Sequence, residues 1–219
     1  RLRPHTFSAP KPLLEVAGKP ILAHILDELV SLDADEVTFI VHYFGDAIEK
    51  WVRDNYKFKA NFIDQKEMRG LGHAISLAKP IHKDHESVLI ILGDTIFSAN
   101  LAPVLKLKEN AIAVKEVDDP RRFGIVELKG DVVTRLIEKP ENPPTNLAIV
   151  GIYHIAQPAL LFDCLDYNIN NNVTTRGKFQ LTDALQRMLD RGAPFRTFGI
   201  NGWFDCGKPE TMLETNRAL

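Results

Sequence analysis

An α/β fold built on an open, mostly parallel sheet is the class this sequence predicts, and three observations predict it. Helical and strand periodicities alternate through the first half of the chain, the pattern of strands joined by crossover helices. Val88-Leu89-Ile90-Ile91-Leu92 is apolar on both faces, as a strand covered by helices on each side must be. The 219 residues are 45% hydrophobic and 26% charged, enough to bury one large core or a core with a small appendage.

Taken in order, residues 21–30 repeat apolar side chains at helical spacing just after Pro20, a residue suited to a helix start. Residues 37–41 are a β-branched run of strand length, residues 47–52 read as helix, and residues 61–63 as a short strand. Residues 72–78 are helical, and the strand at 87–92 follows. Beyond Asn100 the texture changes: a helix at 104–108 precedes strands at 111–116, 124–128, 132–137 and 148–155, which suit a small mixed extension of the sheet. Helices at 159–165 and 181–189, a strand at 195–198 and a terminal helix at 210–219 complete the chain. The strongest breaker, Glu141-Asn142-Pro143-Pro144, is too short to separate domains, so one domain spanning 1–219 with two lobes is expected.

Composition removes several function classes. With 27 basic and 29 acidic side chains the formal charge is −2, so no broad basic face for nucleic acid or anionic lipid is predicted. No apolar run approaches the roughly 20 residues of a bilayer span. Cys164 and Cys206 read as free thiols of a reducing, cytoplasmic compartment. The chain opens in a basic turn, Arg1-Leu2-Arg3-Pro4, rather than in a strand, so an upstream strand and loop are expected before this numbering.

The residues that could carry chemistry follow strand ends. Asp94 comes directly after the apolar strand, where ligands bind in open α/β sheets, and a carboxylate there is a hard ligand for Mg²⁺; a turn or cap role is the structural alternative. Asp205, in Trp203-Phe204-Asp205-Cys206-Gly207, could complete a two-carboxylate site, although Asp near Gly is commonly a turn residue. Lys11 lies between Pro10 and Pro12, which predict an extended, restricted backbone that aims an ammonium at a phosphate. Glu138-Lys139-Pro140 offers an acceptor for sugar hydroxyls beside a cation for phosphate. Gln65 with Gly70-Leu71-Gly72 joins an amide able to read a pyrimidine edge to glycines that let a base approach backbone. His73 is assigned to helix surface or packing rather than to base catalysis. No nucleophilic triad, Cys/His metal cluster or complete glycine-rich phosphate loop is visible.

In this order the segments resemble the sugar-phosphate nucleotidylyltransferases, in particular the glucose-1-phosphate thymidylyl- and uridylyltransferases. Arg1-Leu2-Arg3-Pro4 is similar to the second half of that family's G-x-G-T-R-L-x-P motif, and Pro10-Lys11-Pro12-Leu13 to its lysine segment. The resemblance implies a three-layer, Rossmann-like αβα nucleotidyltransferase fold. It implies that Arg1 and Lys11 hold the triphosphate and pyrophosphate, that Gln65, Gly70 and Gly72 read the base, and that Asp94 and Asp205 bind Mg²⁺. Gly124, Glu138, Lys139, Gly151, Arg176 and Trp203 would surround the sugar phosphate. Lys178 and Gln180 depart from the more acidic pattern of the family's Arg176–Asp183 segment.

The implied reaction joins dTTP or UTP to a sugar 1-phosphate such as glucose 1-phosphate, releasing pyrophosphate. Its partners are small molecules, with no nucleic acid and no membrane; self-association is left open. A noncatalytic sugar-nucleotide-binding subunit of the same fold and a cytidylyltransferase for an amino-alcohol phosphate are the alternatives. An oxidoreductase would need the G-x-G-x-x-G that the visible chain lacks.

Overall fold

The computed structural model describes residues 10–206 and 209–218. A 3-10 turn at Lys11–Leu13 opens it. Pro12 was expected to hold this stretch extended; it instead occupies an early helical position, where a missing N–H goes unneeded, and Leu13 and Leu14 donate back to the carbonyls of Pro10 and Lys11. Strands β1 (Glu15–Val16) and β2 (Lys19–Pro20) form a tight hairpin whose turn residues Ala17 and Gly18 are both left-handed, as a two-residue hairpin turn demands. Helix α1 (Ile21–Ser31) buries Ile21, Leu22, Ile25 and Leu26 along one stripe.

Strand β3 (Glu36–Val41), helix α2 (Gly45–Asn55) and strand β4 (Lys59–Asp64) make a parallel pair with a helical crossover, in register from Glu36↔Lys59 to Val41↔Asp64. Registered partners Phe39 and Phe62 stack with ring centroids 4.9 Å apart and join Leu22, Leu26, Ile48 and Val52 in one apolar cluster. Helices α3 (Leu71–Ser76) and α4 (Lys79–His82) lead to strand β5 (Val88–Ile91), a turn, and a strand not expected from the sequence, β6 (Thr95–Ser98).

After a 3-10 turn at Val104–Lys106, shorter than the helix expected there, come β7 (Asn110–Glu116), β8 (Gly124–Lys129), β9 (Val132–Glu138) and β10 (Leu147–Ile155). Helices α5 (Pro158–Asn170) and α6 (Leu181–Asp190), strands β11 (Phe195–Gly199) and β12 (Gly202–Asp205), and helix α7 (Pro209–Ala218) complete the order. No helix among the described residues is long and apolar enough to cross a membrane. Cys164 and Cys206 are free and buried.

The chain divides into two compact units. One comprises the described parts of Arg1–Lys66, Leu92–Ala99 and Asn201–Leu219; the other comprises Glu67–Ile91 and Asn100–Ile200. In the first, β6 pairs antiparallel with β12, α7 packs on β12, and Val16, Ile21, Ile96 and Cys206 form a buried cluster. The second carries a mixed sheet in the order β5-β10-β7-β11-β9-β8, parallel only between β7 and β11, with α6 packed on β9 and against α5. The α/β class therefore holds, with parallel and mixed sheets. Strand β5, expected at the centre of a parallel sheet, stands at one end of this order and is half-buried, because among the described strands its ladder runs to β10 alone.

Asn110 ties that sheet together from within. It is buried, its amide donates to the Pro194 carbonyl at 3.1 Å, and its Oδ1 accepts from the Ala156 N–H at 3.0 Å. Replacement by leucine strands both backbone groups away from water, so Asn110→Leu is expected to lower the unfolding free energy by about 2 kcal/mol or more. Urea denaturation reads this, and a midpoint equal to the parent's would contradict it.

Candidate active site

Within the first unit, the turn after β5 carries Asp94, with the Thr95 N–H closing on the Leu92 carbonyl at 3.2 Å. Strand β6 follows at once, so Asp94 does not cap a helix. Antiparallel pairing sets Thr95 opposite Asp205, and the Cys206 N–H donates to the Asp94 carbonyl at 3.0 Å. Two acidic residues far apart in sequence thereby lie on adjoining backbone; Asp205 is described here by its main chain. The Lys11 ammonium meets Asp94 Oδ2 at 2.7 Å, both side chains being partly exposed. Gln65 follows β4 directly, and its N–H donates to the Val41 carbonyl at 2.7 Å, so it stands at the carboxyl ends of the two parallel strands. Trp203 is half-buried in β12 opposite Phe97, in this unit, whereas the other residues expected around a sugar phosphate belong to the second. Arg1 lies outside the described residues.

The second unit brings Gly124, Glu138, Lys139 and Arg176 together. Gly124 is registered opposite Glu138 between β8 and β9, and a Cβ there would meet Thr182 Oγ1 at 3.0 Å, Ile149 Cδ1 at 3.1 Å and Glu138 Oε2 at 3.2 Å. Successive side chains of a strand point to opposite faces, yet Lys139 Nζ reaches Glu138 Oε1 at 2.7 Å. The left-handed backbone of Lys139 (φ 44°) ends the alternation and allows this. Arg176 Nη2 donates to the Lys139 carbonyl at 2.8 Å from a turn in which Arg176 and Gly177 are both left-handed. Gly151 (φ 84°) sits in β10 where the register with β7 shifts, the position of a bulge.

Gly70 and Gly72 flank the start of α3, and Gly70 (φ 118°) is irreplaceable on two counts. The backbone is left-handed, and an added Cβ would stand 2.4 Å from the Phe179 carbonyl oxygen.

Sequence reasoning passed over two groups beside Glu138. Thr182, buried at the start of α6, donates its hydroxyl to Glu138 Oε2 at 2.7 Å, so both carboxylate oxygens of Glu138 are engaged. Asp183 accepts from the Thr175 hydroxyl at 3.1 Å, while its Oδ2 is buried without a hydrogen-bond partner among the described residues. Burial raises the Asp183 carboxyl above its ordinary value, the Glu138 charge adds to this, and the Thr175 hydrogen bond opposes it. Burial, with Glu138 adding, likewise pushes the Tyr153 phenol upward, keeping it neutral. Both polar residues fall within the segment containing Arg176; nothing in local spacing shows that they meet a strand so far upstream. His73 sits half-buried on α3 with its imidazole lowered by burial, and then by Arg69.

The family model described as nucleotidyl transferase matches residues 1–219. The bifunctional protein GlmU of Methanocaldococcus jannaschii is 38% identical over 221 residues, covering 100% of this chain but 51% of that protein. The chain thus spans about half the length of that relative. The UTP--glucose-1-phosphate uridylyltransferase AglF of Haloferax volcanii is 36% identical over 229 residues, covering 100% of this chain and 91% of its own. A UDP-glucose pyrophosphorylase crystallised with UDP-glucose superposes with a TM-score of 0.83 at 23% identity, over 99% of this chain and 92% of that one. A putative glucose-1-phosphate thymidylyltransferase from Bacillus anthracis gives the same TM-score of 0.83 at 23% identity, over 99% and 89%. Sequence match and shared fold agree along the whole chain, and the chain belongs to the nucleotidyl transferase family.

Proposed function

We propose that this chain transfers a nucleotidyl group from UTP or dTTP to a sugar 1-phosphate, with glucose 1-phosphate the favoured acceptor. The observation that carries the reading is the meeting of Lys11 with Asp94 on backbone that also carries Asp205. The name of the Haloferax relative supports UTP and glucose 1-phosphate as the pair.

A divalent ion fits this donor set. Asp94 already faces a cation, and one or two carboxylates completed by phosphate oxygens and water is the arrangement that suits, which is the habit of Mg²⁺. Asp94 and Asp205 would hold the ion, which supplies neutralisation of phosphate charge.

The residues themselves do the rest. An oxygen of the sugar phosphate attacks the α-phosphorus, the bond from that phosphorus to the β-phosphate oxygen breaks, and pyrophosphate leaves with the electron pair. The attacking group is already anionic, so no protein base is needed and catalysis is positioning plus charge stabilisation. Lys11, released from Asp94, stabilises the departing pyrophosphate, and Arg1 would assist it. Gln65 reads the base edge, and Gly70 and Gly72 let the base approach the main chain. Glu138 accepts sugar hydroxyls in exchange for one of its present donors; Lys139 and Arg176 neutralise the acceptor phosphate. Gly124 and Gly151 are assigned to the sugar ring.

Asp94→Ala is expected to cut pyrophosphate release by at least about a hundredfold; release near the parent rate would remove the metal assignment. For Glu138→Gln, the KM for glucose 1-phosphate should rise about tenfold, the scale of a hydrogen bond to a charged group, while that for UTP stays put. An unchanged KM for the sugar phosphate would refute that role. Crossing nucleoside triphosphates with sugar 1-phosphates and scoring pyrophosphate release identifies the substrate pair, and exchange of labelled pyrophosphate into nucleotide with the sugar 1-phosphate present separates an enzyme from a noncatalytic binder, which shows none.

A further inference from the structure

We propose that Lys178 and Phe179 are positioning residues that fasten the nucleobase loop to the sugar-phosphate turn, so that each substrate prepares the site of the other. The inference rests on the reading of Gly70 and Gly72 as base contacts and of Arg176 as a phosphate contact. Phe179 is buried, and both of its backbone polar groups are taken by the glycine loop: its N–H donates to the Arg69 carbonyl at 2.9 Å, and its carbonyl accepts from the Gly72 N–H at 2.9 Å. The Arg69 guanidinium lies 4.8 Å from the Phe179 ring centroid, a cation–π contact on the same seam. Lys178, exposed except at this contact, donates its ammonium to the Met68 carbonyl.

Lys178 also closes the other loop. Thr175 and Lys178 exchange backbone hydrogen bonds of 3.0 and 3.2 Å around the left-handed pair Arg176 and Gly177, and Arg176 reaches the Lys139 carbonyl at 2.8 Å. Hydrogen bonds joined by adjoining backbone thus link Gly72, Phe179, the turn and Lys139. A donor is what the Met68 contact requires, since a carbonyl accepts and an ionised acidic side chain has nothing to donate. A ligand that braces one loop also braces the other through these bonds, which is positive coupling and by linkage reciprocal.

The test is calorimetric titration of the intact chain, in Mg²⁺ buffer, with a non-reacting α,β-methylene analogue of UTP, with and without saturating glucose 1-phosphate. Glucose 1-phosphate is expected to tighten analogue binding about fivefold in the parent. The factor should fall toward one in Lys178→Met and persist in Lys178→Arg, which keeps a donor. A Lys178→Met chain that binds both ligands with the parent's coupling factor overturns the proposal. So does loss of glucose 1-phosphate affinity in Lys178→Met without the analogue present, since Lys178 would then be a direct phosphate ligand. Absence of analogue binding by the parent itself would instead bring down the nucleotidyl-transfer reading, and this inference with it.

Discussion

The ladder between β6 and β12 is the constraint on which the first unit's chemistry depends. Its register sets Thr95 against Asp205 and Phe97 against Trp203, and the Cys206 N–H extends it to the Asp94 carbonyl. A slip of one residue would turn every side chain of the strand to the other face. Packing opposes such a slip: Ile96 and Cys206 are buried with Val16 of the first hairpin and Ile21 of α1. The apolar cluster therefore holds acidic residues in place, and the hairpin that supplies Val16 also fixes the end of the turn from which Lys11 extends.

In the second unit the corresponding device is local strain. Left-handed backbone at Lys139 and Arg176 costs about 1 kcal/mol at each, because neither is glycine. Surrounding hydrogen bonds hold both in place: Lys139 donates from its N–H to the Phe123 carbonyl and accepts Arg176 on its own carbonyl, while Arg176 is enclosed by the reciprocal bonds of Thr175 and Lys178. The strain places an acid and a base on one side of a strand end, where ordinary pleating would separate them.

Charge in that neighbourhood is controlled by pairing. Glu138 is nearly buried, with a side-chain exposure of 9%, and each of its oxygens has a donor, Lys139 on one side and Thr182 on the other. Burial raises the Asp183 carboxyl above its ordinary value, the Thr175 hydrogen bond opposes this, and the nearby Glu138 charge adds to it.

Most of the longer elements and the chemical inventory could be read from the sequence alone. Strict β-branched runs and amphipathic stripes depend on near neighbours, so the strands of the parallel pair and helices α1, α5 and α6 were legible in it, as were Lys11, Asp94, Glu138, Lys139 and the glycines beside α3. Tertiary structure decided which of these meet. Strand β6 escaped notice because four residues after a turn carry too little periodicity, and its partner lies near the other end of the chain. The place of β5 in the pairing order, the grip of Thr182 on Glu138 and the bridge from Phe179 to the glycine loop are likewise long-range contacts. The physical reason is that a hydrogen bond between distant segments leaves no period in either one, since each partner obeys only the rules of its own strand or turn.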